Sequence, residues 1–168
     1  GAVGKVICSY PRSSHSVVFE ELFRAGKVAL ETIPQGTLAE RIRAAGAGIG
    51  GFYTKTSVGT PVADNKEVRS IDGADYVFEA PLYADVALVK AQSADRWGNL
   101  TYRMAARNFG PIMCMAARRT IAQVRYIVTL GDLNPESVVT PGIFVDAVVE
   151  VANLLSERQA IHERRSYP

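Results

Sequence analysis

Apolar residues fall along this chain in two rhythms. Lys5 to Tyr10 is a short, β-branched run closed by Pro11, which reads as a strand. From His15 to Ala25 the apolar positions Val18, Leu22 and Ala25, with Phe19 and Phe23 beside them, take helical spacing. Gly26 then supplies a helix stop. Val28 to Ile33 returns to strand and ends at Pro34. Thr37 with Glu40 three residues on has the form of a capping box, opening a helix from Leu38 to Ala45 that stops at Gly46. Strand, helix, strand, helix is the α/β signature. A continuous apolar strand is one buried on both faces, so the pattern predicts a mainly parallel sheet with helices on both faces.

The middle of the chain changes rhythm. Val68 to Ile71, the turn Asp72-Gly73, and Tyr76 to Phe78 spell a hairpin. Ala84 to Ala91 is a buried strand. Pro111 can open a helix running through Ala117. Ala122 to Leu130 and Ile143 to Val151 read as further strands, and Asn153 to Arg165 as a C-terminal helix. Ser13 or Ser14 is a natural N-cap for the first helix. No internal repeat or low-complexity segment is visible, and a single domain over 1–168 is expected.

Composition narrows the function classes. Of 168 residues, 48% are apolar and 21% charged, as in ordinary globular proteins. A net charge of +2, with no basic run interleaved with aromatics, argues against nucleic acid. No apolar run is long enough to span a bilayer, so no membrane role is expected. Cys8 and Cys114 have no metal-ligand spacing, and two histidines are too few for a histidine site. No metal is expected, and reduced thiols in a cytoplasmic protein are.

Several motifs invite chemistry. Gly46 to Gly51 matches the letters G-x-G-x-x-G, but it follows a helix and leads into Phe52-Tyr53. A dinucleotide fingerprint follows a strand and opens a helix, so here the glycines read as a helix stop and a close-packed backbone. The hydroxyl-rich loop from Thr54 to Thr60 can offer donors to an anion, or be an ordinary surface loop. Gln35 sits just past a strand's carboxyl end, where open α/β sheets bind ligands. The stretch Ala94 to Pro111 packs Trp97, Arg96, Arg103 and Arg107 around a Gly98-Asn99 turn. It reads either as a binding wall or interface, or as a structured connection.

Four segments together carry more than any single motif. They are VICSYPRSSHSVVFEELFRAGKV from Val6, IPQGTLAERIRAAGAGIGGFYTKTSVGT from Ile33, ADVALVKAQSADRWGNLTYRMAARNFGPIMCMAA from Ala84, and VVTPGIFVDAVVEV from Val138. In this order and spacing the chain resembles the first of the two subunits of class I, 3-oxoacid type CoA-transferases, from about Lys5 to Val151. NLTYRMAARNFGPIM is most similar to the 3-oxoadipate enzymes of aromatic catabolism, and the acetoacetate-type enzymes share much of the pattern.

The resemblance implies the CoA-transferase α/β fold and a heterodimer or heterotetramer with a related second CoA-transferase subunit. It implies transfer of CoA from succinyl-CoA to a 3-oxoacid, with the CoA thioester a substrate and no separate cofactor. The nucleophilic glutamate belongs to the second subunit, in a Ser-Glu-Asn-Gly motif absent here. Glu20, Glu21, Glu40, Glu67 and Glu79 are therefore not expected to be nucleophiles. A glycine-rich strand-loop-helix unit that family members carry earlier in the chain is also absent, so an N-terminally incomplete fold, inactive alone, is expected.

Carried over residue by residue, Gln35 matches the family's Pro-Gln-Gly turn and is a supporting catalytic group. Thr56, Ser57, Gly59 and Thr60 match its Gly-Thr loop, where Lys55 and Ser57 differ from the commoner residues. Arg103, Arg107 and Asn108 lie in the other matching run. One arginine there could fork onto a substrate carboxylate, or both could pair with acids across a subunit interface. The rival readings are a non-enzymatic effector-binding domain of the same fold and a nicotinamide-dependent dehydrogenase.

Overall fold

The computed structural model describes residues 1–11 and 17–151. Ser13, Ser14 and the expected helix over 153–165 lie outside the described residues. The chain divides into two compact units, with the division between Tyr83 and Ala84.

In the first unit, β1 (Lys5–Cys8) leads to α1 (Val17–Arg24) and then β2 (Ala29–Thr32). The two strands pair in parallel, Lys5 opposite Ala29 through Cys8 opposite Thr32. The stop after α1 is the one the glycine announces. Gly26 takes φ 66°, its N–H bonds Phe23 O, and Lys27 N–H bonds Leu22 O, so the last turn's carbonyls find donors. Helix α2 (Gln35–Gly46) starts three residues earlier than the Thr37 cap requires. Pro34 holds φ −53° and ψ 138°, and its carbonyl accepts from Leu38 N–H. The capping box is therefore not formed. Thr37 is buried inside the helix, and the Glu40 carboxylate binds Arg43 instead of reaching back.

The glycines after α2 close it and bring the backbone to β3 (Phe52–Thr54). Gly51, at φ 148°, lies so close to the Phe78 ring that a Cβ would overlap it. β3, β4 (Val68–Ile71) and β5 (Ala74–Glu79) form an antiparallel sheet in the order β3-β5-β4. Asp72 (φ 50°) and Gly73 (φ 75°) make the expected two-residue hairpin turn. Val77 is fully buried in β5, a burial that stabilises by about 1.5–3 kcal/mol.

In the second unit, β6 (Ala84–Lys90), β7 (Ser93–Ala94), β8 (Leu100–Thr101), α3 (Gly110–Ala116), β9 (Ala117–Val124), β10 (Tyr126–Ile127) and β11 (Ala147–Glu150) follow in turn. A parallel sheet runs in the order β11-β9-β6, and a small mixed sheet in the order β10-β7-β8. Two strand boundaries differ from the sequence pattern. β9 begins directly after α3, at Ala117 rather than Ala122. Its exposed Arg118 and Arg119 break the apolar run, while Thr120, Ala122 and Val124 alternate inward. β11 begins at Ala147 rather than Ile143, because Gly142–Phe144 is a 3₁₀ turn. Asp146 then starts the pairing, accepting Thr120 N–H on its carboxylate at 2.7 Å.

Ala87, Val89, Ala91, Leu100, Cys114, Ala122 and Val124 make this unit's core. The other face of the parallel sheet leaves Val86, Leu88, Ile121 and Val149 exposed.

Candidate functional site

In the first unit the parallel pair β1 and β2 ends at Cys8 and Thr32, and the chain turns there into α2. Gln35 is the first residue of α2, at the carboxyl end of both strands. Its side-chain oxygen accepts a hydrogen bond from the Ser9 hydroxyl, just past β1. With the oxygen engaged, the Gln35 amide N–H groups are what the side chain has to offer a ligand. No side chain caps α2, so its first-turn N–H groups stand at the positive end of the helix dipole without a side-chain acceptor.

A cleft of about 290 Å³ opens beside this turn, lined by Gly36, Thr37 and Glu40 of α2, by Phe52, Tyr53 and Thr54 of β3, and by Thr56. The turn after Gln35 and the start of the hydroxyl loop thus share one cleft. Of the loop residues singled out in the sequence, Thr56 lines it, while Ser57, Gly59 and Thr60 do not. Much of the loop's donor capacity is spent on itself. Thr56 N–H bonds Thr54 Oγ1 at 3.1 Å, Thr60 Oγ1 donates to Ser57 O at 2.8 Å, and Val58 N–H bonds Lys55 O. Ser57 (φ 76°) and Gly59 (φ 72°) give the loop its tight path.

One carboxylate lines the cleft, that of Glu40. Arg43 Nε lies 3.0 Å from both of its oxygens, and this hydrogen bonding holds its pKa below the ordinary value. This is an exposed ion pair on the surface of α2. Tyr53 is also fixed. Its hydroxyl donates to Glu67, which raises the Tyr53 pKa and lowers that of Glu67, and Arg69 stacks on its ring at 4.8 Å.

The same unit holds a charge network the sequence pattern did not reveal. Glu79, 2% exposed, binds Lys66 Nζ at 2.6 Å and has Arg41 Nε at 3.9 Å. Arg41 also donates to Ala80 O at 2.7 Å and to Glu31 Oε1 at 3.1 Å. Lys5 completes the set at 2.5 Å from Glu31, whose pKa it lowers most strongly, with burial opposing and Arg41 adding. Glu79 is thus a structural ion. The residues are far apart in sequence, so only the pairing of β1 with β2 and of β4 with β5, with α2 packed against them, assembles the network.

In the second unit, Arg103, Arg107 and Asn108 are exposed on and beside the 3₁₀ turn Met104–Arg107, and Met104 sits at φ 55°. Among the described residues neither arginine has an ion pair. The Trp97 stretch turns out to be a wired connection. Asp95, 4% exposed, accepts from Trp97 N–H, Asn99 N–H and Asn99 Nδ2, and Asn99 Oδ1 accepts from Gly142 N–H. Burial raises the Asp95 pKa, but these hydrogen bonds outweigh it and the net shift is downward. Among the described residues no group of three His, Cys, Asp or Glu could hold a metal ion.

The coenzyme A transferase family model matches residues 1–151. The chain belongs to that family. Over 152 residues it is 63% identical to the corresponding subunit of 3-oxoadipate CoA-transferase from Pseudomonas putida, with 90% of this chain and 66% of that protein covered. It is 50% identical over 147 residues to the corresponding subunit of a probable succinyl-CoA:3-ketoacid coenzyme A transferase from Bacillus subtilis, covering 88% and 61%. The chain thus spans just under two thirds of the length of these curated relatives. Among solved structures, glutaconate coenzyme A-transferase of Acidaminococcus fermentans superposes with a TM-score of 0.79 at 24% identity, over 89% of this chain and 56% of the other, a likeness of fold. The resemblance drawn from the four segments is borne out, and so is the α/β CoA-transferase fold.

Proposed function

We propose that this chain is the first subunit of a two-subunit CoA-transferase that moves CoA from succinyl-CoA to 3-oxoadipate. The observation that carries the reading is the 63% identity to the Pseudomonas putida protein, a match that runs through the Pro-Gln-Gly turn beside the cleft. The nucleophile is a glutamate of the second subunit. Its carboxylate attacks the acyl-CoA carbonyl and expels the CoA thiolate, leaving an acyl–glutamyl anhydride. The thiolate then attacks the glutamyl carbonyl, releasing succinate and leaving a glutamyl-CoA thioester. The second half-reaction reverses these steps with the acceptor acid. Each attack builds an oxyanion, and preorganised N–H donors stabilise it. In this reading the Gln35 amide, whose oxygen accepts from Ser9, supplies one such donor through its N–H groups.

The acceptor's second carboxylate has Arg103 or Arg107 as a candidate partner, and an intersubunit contact is the competing use of the same arginines. The assembly is a heterodimer or a multiple of it. Cytoplasmic location and a place in aromatic catabolism go with this reading. Two free cysteines, and no described helix long and apolar enough to cross a membrane, agree with it.

The test is a CoA-transfer assay with succinyl-CoA, run with the chain alone and with its cognate second subunit, offering 3-oxoadipate and acetoacetate as acceptors. Activity only in the mixture, with 3-oxoadipate preferred, is expected. Gln35→Ala should lower kcat on the order of a hundredfold if its amide serves the oxyanion. Preference for acetoacetate would move the reading to the 3-oxoacid enzymes, which the 50% identical relative represents. Activity of the chain alone would overturn it.

A further inference from the structure

We infer that Arg41 is a positioning residue, which fixes the first turn of α2 against β3 and so sets the geometry at Gln35. The inference rests on the proposed function only in what it says of catalysis. Arg41 lies on α2 six positions after Gln35, and its side chain is 13% exposed. It reaches two elements at once. Its Nη1 donates to Glu31 on β2 at 3.1 Å, and its Nε donates to Ala80 O, just past β5, at 2.7 Å. Its own carbonyl accepts from Leu82 N–H at 2.9 Å. Helix α2 is therefore tied on one side to the strand that delivers Gln35. On the other it is tied to the end of β5.

That second tie bears on the cleft wall. Glu79 of β5 pairs in register with Phe52 of β3, and Phe52 to Thr54 form the wall facing Gly36, Thr37 and Glu40. The spacing of the two walls is thus set where Arg41 meets Glu79 and Ala80. Lys66 holds the second oxygen of Glu79, so the carboxylate is fixed when Arg41 approaches it. The guanidinium is suited to this because it donates in two fixed directions from one plane, toward β2 and toward β5. A lysine keeps the charge but donates from a single atom and cannot span both.

The experiment uses the complete protein with its second subunit, in wild-type form and in four variants: Arg41→Lys, Gln35→Ala, the two combined, and Val77→Ala. The last removes buried apolar volume from the same unit without touching Arg41, and serves as a control of lowered stability. Arg41→Lys is expected to lower kcat on the order of tenfold while KM for donor and acceptor stays within about twofold, as for misplaced rather than missing groups. The Gln35→Ala loss should shrink markedly in the Arg41→Lys background, since a group already out of place has less to lose. Hydrogen exchange over 35–41 should rise in Arg41→Lys and not in Val77→Ala at equal stability. Additive losses, or equal exchange in both variants, would overturn the inference. If the wild-type protein transfers no CoA to any acceptor, the proposed function fails, and the exchange comparison alone decides the role of Arg41.

Discussion

Glu31 shows how much one side chain can be asked to do in a small unit. Its carboxylate takes Lys5 from β1 and Arg41 from α2, and its pKa lies below the ordinary value of 4.5. A carboxylate with a depressed folded pKa lends stability that is fully present above its ordinary value. That stability is lost as pH falls through the folded one, because the unfolded chain takes up the proton first. Melting temperatures measured between about pH 5 and pH 3 should therefore fall more steeply in the wild type than in Glu31→Gln. Parallel curves would mean that the pairs with Lys5 and Arg41 contribute nothing net. That outcome is common for exposed ion pairs, but Arg41 is mostly buried.

At the scale of elements, two turns of the second unit are interlocked. The Asp95–Asn99 turn and the Gly142–Phe144 turn share the Asn99 to Gly142 hydrogen bond. They approach so closely that a Cβ on Gly142 would overlap the Trp97 carbonyl oxygen and lie 2.8 Å from its carbon. Backbone cannot swing aside as a flexible side chain can. Gly142→Ala should destabilise the protein by about 3 kcal/mol, the upper part of the overpacking range, read as a lowered denaturation midpoint at unchanged slope. A change below about 0.5 kcal/mol would mean that the turns part easily. The same wiring accounts for the Asp, Asn and Gly of this stretch. Asp95 and Asn99 satisfy the turn's backbone donors and acceptors and leave Trp97 64% exposed.

At the scale of the whole molecule, the buried apolar residues are unevenly shared. Among the described residues the first unit holds Val28, Ile33, Ala44, Ala45 and Val77, mostly small side chains, and the second holds nine. A core of five such residues is slight for a unit that must stand alone. One cooperative melting transition is therefore expected for the chain, displaced alike by Val77→Ala in the first unit and Gly142→Ala in the second. Two transitions, each moved by only one of the variants, would make the units separate domains.

Features with a local cause can be read from the sequence. Proline and glycine end elements because of their own backbone limits, so Pro34, Gly26 and the Asp72-Gly73 turn were legible, as were β1, β2, β6 and α3. The family was legible in the Pro-Gln-Gly turn and the Ala94 to Pro111 run, because those segments keep their order and spacing. Tertiary structure decided what depends on partners distant in the chain. Thr37 and Glu40 have the letters of a cap, but burial of Thr37 and the nearness of Arg43 override them. β9 holds two arginines that periodicity counts against a strand, yet pairing with β6 and β11 makes it one. The network of Glu31, Arg41, Lys66 and Glu79 has no spacing to read, since strand pairing brings its members together. Likewise the cleft beside Gln35 exists only because β3 comes to lie across from the first turns of α2, a juxtaposition that no local propensity specifies.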